Sequence, residues 1–460
     1  MNIKSTLSLL FLAFGYSSVH AQTDSLMMRK IYNQELTGGY AYDNLHYLCK
    51  NIGPRLSGSA NAQKAVDWSK KLMESYGFDH VYLQEVMVPH WVRGEKEKGL
   101  IIDGKTSIPV ALAALGGSVG TPKQGITAEV IELQSLKELE TLGEAKIKGK
   151  IVFFNRPFDD RFIEGIPAYM GAADQRFFGP EAAAKFGAVG VIIRSLTFSL
   201  DNYPHTGFIK STSSSSSIPA AALSTLAANK LSELIKKSKS PVKFYLKQNC
   251  EKLPDAVSYN VIGELKGAEY PNQYITVGGH LDSWDLAEGA HDDGTGVMQA
   301  VEVPRILKEL GYHPKHTIRV VLFMAEETGG QGADKYAELA AKNKEEHIAA
   351  IESDEGGYTP RGFRFGVSES AIQQINTNWK NLFIPYNSES LIIGGNNVDI
   401  ASLKRTVPGV VLIDFRPDSQ RYFSIHHSSN DVFENVNKRE LELGAASMAS
   451  LTYLIDQHGI

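Results

Sequence analysis

A chain of 460 residues that is 43% apolar can bury a large core and support more than one domain. Its formal net charge of -5 argues against a nucleic-acid partner, which would call for a basic face. Beyond the N-terminal leader no apolar stretch is long enough to cross a bilayer, and two cysteines are too few for a zinc–thiolate centre.

The first residues read as a secretory signal. Lys4 supplies positive charge, residues 7–14 form a short apolar core, and Val19-His20-Ala21 places small residues before a cleavage point. The expected mature chain begins near Gln22, secreted or periplasmic; an uncleaved N-terminal anchor is the competing reading. In an oxidising compartment Cys49 and Cys250 could pair, although spacing says nothing about proximity.

After a helical beginning, the turn Gly53–Ser59 is punctuated by Gly and Pro. Ala65, Val66, Leu72, Met73 and Tyr76 then fall at helical spacing, with Gly77 as the stop. Residues 81–88 alternate as a strand and 94–98 are turn-like. From about Gly104 the texture changes. Strands are expected at 126–133, 150–154 and 189–193, helices at 179–186 and 224–236, a polar low-complexity loop at 211–217, and a linker at 249–255. No set of ligand-type residues falls in this stretch. Residues 104–252 therefore read as a domain inserted into a discontinuous one of 22–103 and 253–460, shaping the substrate entrance or merely covering the rest.

From Ser258 onward short apolar runs at 260–265, 274–277, 317–324, 348–351 and 408–413 alternate with helices. This is the pattern of an α/β fold with a mostly parallel, doubly covered sheet. Pro304 lies inside the helix expected after Gly296 and predicts a kink or break there. The last helix starts at Asn437, with Glu440 placed for a capping box.

The chemistry gathers where these strands end. His280 and Asp282 emerge after the apolar run 274–277, followed by the Asp292-Asp293-Gly294 turn. An imidazole and several carboxylates in one loop call for a cation, because close carboxylates are hard to keep ionised without one; a salt-bridged loop is the bland alternative. Glu326-Glu327 follows the next strand, Asp354 the one after, and His426-His427 lies in a polar loop late in the chain. A lone His is more often structural, and a Glu-Glu pair is more often a solvated face. Their recurrence at successive strand ends favours a metal site.

These segments resemble family M28 metallopeptidases. GGHLDSWD (278–285), GAHDDGTG (289–296), AEETGGQGA (325–333), ESDEGG (352–357) and HHSSND (426–431) occur in that family's order, and GPRLSGS (53–59), VPHWVRGE (88–95), GITAEV (125–130) and YPHTG (203–207) extend the likeness over nearly the whole mature chain. The resemblance implies a zinc-exopeptidase, phosphorylase/hydrolase-like fold with a protease-associated-type insert, two zinc ions per chain, a peptide substrate and a homodimer. It makes His280 and Asp354 ligands of one zinc, Glu327 and His427 ligands of the other, and Asp292 the bridge between them. Glu326 would be the general base, Asp282 would accept from His280 and set its tautomer, and the Asp292–Asp293 peptide would be cis. Two zinc ions roughly 3.5–4 Å apart would clamp a water and lower its pKa, with Glu326 taking its proton. The expected activity is hydrolysis of dipeptides or short peptides; an aminopeptidase on longer peptides and a non-catalytic binding relative are the alternatives. His291, directly before Asp292, reads as a solvent-facing departure from the family pattern.

Overall fold

The computed structural model describes residues 22–210 and 217–460. The signal expected over 1–21 lies outside the described residues, as does all of the serine-rich loop but Ser217. A helix occupies 22–38, and the helix Ala60–Ser75 opens on Ser59, whose hydroxyl accepts from the Ala62 N–H at 3.1 Å. It ends before Gly77, which takes the left-handed conformation (φ 66°).

Two eight-stranded sheets follow. Strand β1 (His80–Val92) belongs to the first. The second is built from β2 (Lys98–Asp103), β3 (Thr106–Val110), β4 (Leu112–Ala114), β5 (Ile126–Leu133), β6 (Ile151–Phe154), β7 (Gly190–Arg194), β8 (Ala220–Leu223) and β9 (Lys243–Lys247), in spatial order β3-β2-β9-β5-β6-β7-β8-β4. Gly104, where the texture of the sequence changes, sits in the turn between β2 and β3. The chain returns to the first sheet through β10 (Glu251–Leu265) and completes it with β11 (Tyr270–His280), β12 (His316–Phe323), β13 (Glu346–Glu352), β14 (Pro360–Phe365), β15 (Ser390–Ile393) and β16 (Val411–Pro417).

The first sheet is ordered β1-β10-β12-β11-β13-β16-β14-β15. Its four middle strands, β12, β11, β13 and β16, are parallel, while β1, β10 and β14 pair antiparallel at the margins. Both faces are covered. Ile318, Val320 and Leu322 of β12 join the core under the helices Thr295–Glu309 and Lys438–His458; Val321 and Phe323 turn the other way, under Gln331–Asn343 and Val398–Thr406. Period-two alternation thus serves two cores at once.

Three expectations are corrected, and one question the sequence left open is answered. The linker expected at 249–255 is largely strand: Glu251, Lys252 and Leu253 pair with Val92, Trp91 and His90, extending an antiparallel ribbon that joins the two sheets. Its outer residues are exposed, so no apolar run marks them. The helix Thr295–Glu309 runs through Pro304 without a break; only one ladder donor is lost, and burial of Val303, Ile306 and Leu307 holds the turn. Asn437 caps the last helix by accepting from Arg439 and Glu440 N–H, but Glu440 does not close the capping box, because its Oε1 accepts from Arg421 (2.7 Å) and Thr359 instead. Cys49 and Cys250 are free and buried in separate apolar clusters, and burial pushes each thiol up to about 12.

Candidate metal centre

Parallel strands deliver their carboxyl ends to one edge of a sheet, and loops leaving that edge share a crevice. Here β11 ends at His280; Glu326 and Glu327 follow β12, Asp354 follows β13, and His426 and His427 lie in the loop after β16. Asp292 comes from the turn that starts the helix Thr295–Glu309, and its peptide bond to Asp293 is cis.

The polar atoms form two groups around Asp292. His280 Nε2 lies 3.2 Å from Asp292 Oδ1 and 3.4 Å from Asp354 Oδ1. His427 Nε2 lies 3.4 Å from Asp292 Oδ2 and 3.1 Å from Glu327 Oε2. Zinc bonds of about 2.0–2.1 Å in a tetrahedron separate neighbouring donors by about 3.3 Å, so the spacing suits one ion on each side of a two-faced carboxylate. Asp292 Oδ2, Glu327 Oε1 and Asp282 Oδ2 are buried without a hydrogen-bond partner among the described residues. Burial first, then mutual repulsion, pushes the Glu327 and Asp293 carboxyls well above their ordinary range, and Glu326 up to about 8. A buried set of acids with orphaned oxygens and two imidazoles fits divalent cations.

All five expected ligands therefore converge. His427, rather than His426, meets Glu327; His426 Nε2 stays 3.8 Å from Asp292 Oδ2, and its ring stacks on His427 with centroids 3.5 Å apart. Glu326 is half-buried beside them, its backbone N–H donating to Asp282 Oδ1 at 3.1 Å. The expected role of Asp282 changes in one detail: His280 Nδ1 donates to the Asp282 main-chain carbonyl at 3.0 Å, while the carboxylate stands 3.8 Å away. The carbonyl sets the tautomer and leaves the side chain to hold the Glu326 backbone. The solvent-facing reading of His291 is overturned. Its ring is fully buried against Tyr358, Nδ1 accepts from the Gly357 N–H at 3.1 Å, and Nε2 donates to the Asn435 carbonyl at 3.2 Å.

Several supporting residues escaped the sequence reading. Asp293 accepts from the His280 and Gly296 backbones, each at 3.0 Å, and Asp431 accepts from the backbones of His291 and Asp292 at 2.7 and 3.1 Å. Arg55 is fully buried and donates to the carbonyls of Leu281, Glu288 and Gly289, bracing the loop after β11. The Tyr422 hydroxyl reaches Asp354 Oδ1 at 3.4 Å. Arg55 lies in the Gly53–Ser59 motif, which was the available signal; Tyr422 stands in no such motif.

The peptidase family M28 model matches residues 260–452. Carboxypeptidase Q of Bos taurus is 36% identical over 417 residues, covering 90% of this chain and 85% of its own. Carboxypeptidase Q of Xenopus laevis is 38% identical over 416 residues, with the same coverage of 90% and 85%. The crystal structure of a peptidase M28 precursor from Shewanella amazonensis SB2B matches with a TM-score of 0.89 at 31% identity, over 95% of this chain and 97% of that one. A zinc aminopeptidase from Bacillus subtilis matches at TM-score 0.62 and 22% identity, over 90% and 94%, a likeness of fold.

Proposed function

The chain belongs to peptidase family M28 and is a metallopeptidase, and from that premise we propose that it is a di-zinc exopeptidase acting on dipeptides or short peptides. One observation carries the two-ion part: Asp292 turns Oδ1 to His280 and Oδ2 to His427. His280, Asp354 and Asp292 would hold one zinc; Glu327, His427 and Asp292 would hold the other. When bound, the ions supply Lewis-acid polarisation of the scissile carbonyl and make a water acidic enough to attack at neutral pH.

The chain's own groups carry the remaining steps. Glu326 takes the proton from the attacking water and returns it to the departing amine nitrogen. Its backbone N–H donates to Asp282 Oδ1, which fixes the main chain from which the Glu326 carboxylate projects. Trp284, packed edge-on to His427 at 5.6 Å, helps exclude bulk water. Trp284 and Ala287 line a crevice together with Asp292, Glu327 and His427. The relatives named carboxypeptidase Q support the exopeptidase reading.

Cleavage of the leader before Gln22, export and a homodimer belong to the same proposal; an intact Met1 on exported protein, or a monomeric mass by light scattering, would remove the respective part. Among the described residues no helix is long and apolar enough to cross a membrane. The main test pairs zinc analysis with a substrate panel. Wild type should hold two zinc ions per chain and Asp292→Asn should weaken both. Dipeptides should turn over faster than tri- and tetrapeptides, and rapid trimming of long peptides from the amino end would replace the dipeptidase reading with an aminopeptidase.

A further inference from the structure

The motif Tyr203–Gly207 belongs to the connection between β7 and β8 of the second sheet, yet its backbone meets the metal-ligand loop of the first. His205 pairs with Ser428 as an isolated antiparallel bridge. The Thr206 N–H donates to the His427 carbonyl at 2.9 Å, and His205 Nδ1 donates to the His426 carbonyl at 2.6 Å. On its other side the segment is tied to its own sheet. Ser195 Oγ accepts from the His205 N–H at 2.9 Å, the Thr206 hydroxyl donates to the Ala114 carbonyl at 2.7 Å, and the Gly116 N–H donates to the Gly207 carbonyl at 3.0 Å.

What the segment holds is a residue in an unfavourable conformation. His427 has φ of 60°, the left-handed region that non-glycine residues rarely adopt. The two carbonyls gripped by His205 and Thr206 flank that residue's backbone, so their orientation decides where its imidazole points. The His205 ring is buried, and its Nε2 has no hydrogen-bond partner among the described residues. Its one polar bond is therefore the one to His426. At Gly207 (φ 132°) an added Cβ would fall against Arg176 Nη1 and lie 2.7 Å from His427 Nδ1, so a side chain there would displace the ligand.

We propose that His205, Thr206 and Gly207 form a strut that positions the His427 imidazole for its metal, so that the second sheet takes part in building the centre. The proposal rests on the reading that His427 holds one of two zinc ions. His205 is a positioning residue: it acts through the His426 carbonyl and touches neither metal nor substrate.

The test uses the full mature chain, with zinc affinity measured by competition against a chelating indicator as the readout. His205→Leu should weaken one zinc about 10–100-fold and leave the other within about threefold of wild type. His205→Asn, which keeps an N–H near the Nδ1 position, should restore most of the loss. Gly207→Ala should weaken the same zinc with His205 in place, and it carries the test if His205→Leu proves insoluble. The strut is overturned if His205→Leu, folded by circular dichroism, binds both ions like wild type, or if both ions weaken equally. It is also overturned if Asn is no better than Leu, or if Gly207→Ala leaves both affinities unchanged. A wild-type chain that binds a single ion refutes the two-ion reading instead; the strut is then judged by the affinity ratio of wild type to His205→Leu at that ion.

Discussion

Glu326 and Glu327 are neighbours in the chain with different surroundings. Glu327 is buried with Oε2 3.1 Å from His427, while Glu326 is half-buried and held through its backbone by Asp282. Ala325 before them takes φ of 69°, which ends the strand's alternation and lets consecutive carboxylates serve one crevice. Glutamine at 326 keeps the shape and removes the proton acceptor. Glu326→Gln should therefore lower kcat about 10²–10⁴-fold. Zinc content should stay at the wild-type value, and the melting temperature should hold or rise as a buried acid is neutralised. Steady-state kinetics alongside metal analysis checks this; turnover within tenfold of wild type would assign the base elsewhere.

At the scale of elements, the helix Thr295–Glu309 carries the Asp292 turn at its start and is pinned from the side. Arg305 on that helix donates to Glu302, to Glu309 (2.6 Å) and, at 2.8 Å, to Glu35 of the helix 22–38. Glu35 is fully buried; burial first and Glu302 second push its carboxyl up to about 10. Its folded pKa thus exceeds its unfolded one, so the folded chain keeps a proton that the unfolded chain releases. The stability this contributes is complete below about pH 4.5 and is lost as pH rises toward 10, at no more than about 1.4 kcal/mol per pH unit. Glu35→Gln has no such proton to lose. Its urea midpoints at pH 6, 7.5 and 9 should fall less steeply than those of wild type, and identical slopes would show that Glu35 is ionised throughout.

For the molecule as a whole, the acids at the sheet edge tie metal to stability. In the metal-free chain Glu327, Asp293, Glu352 and Asp399 are all pushed well above the carboxylate range, by burial first, with neighbouring carboxylates such as Asp292 and Asp354 adding to the rise. Burial opposes charge on His280, yet Asp354 and Asp292 hold it well above its usual value. Each is a raised pKa, so each contributes stability that is lost as pH rises. His426 and His427 are pushed down by burial, and their opposite contribution is lost below about pH 6.5. Between pH 6.5 and 8.5 the first set dominates, and zinc binds more tightly as its ligands shed protons. The gap in melting temperature between zinc-loaded and chelator-stripped protein should widen over that window, and a constant gap would mean that Glu327 and His280 shed no proton when metal binds.

The sequence alone was enough for the α/β class, the doubly covered sheet and the family, because strand-length apolar runs and strand-end motifs are local signals. His280, Asp292, Glu327 and Asp354 stood out because each follows a buried strand or lies in the turn that opens a helix, whereas His427, and the expectation of all five as ligands, came from the family resemblance. The ribbon strand at 251–255 was not, since its exposed residues have no apolar period to read. His291 was misplaced because burial beside Tyr358 is a property of the packed loop. Whether Asp282 meets His280 through its carboxylate, at 3.8 Å, or its carbonyl, at 3.0 Å, depended on loop conformation, and that the loop around His205 reaches the carbonyls beside His427 depended on contact between segments more than 200 residues apart. Such contacts are decided by the packed conformation of loops, and for His205 and His426 no stretch of sequence short enough to show a pattern contains both partners.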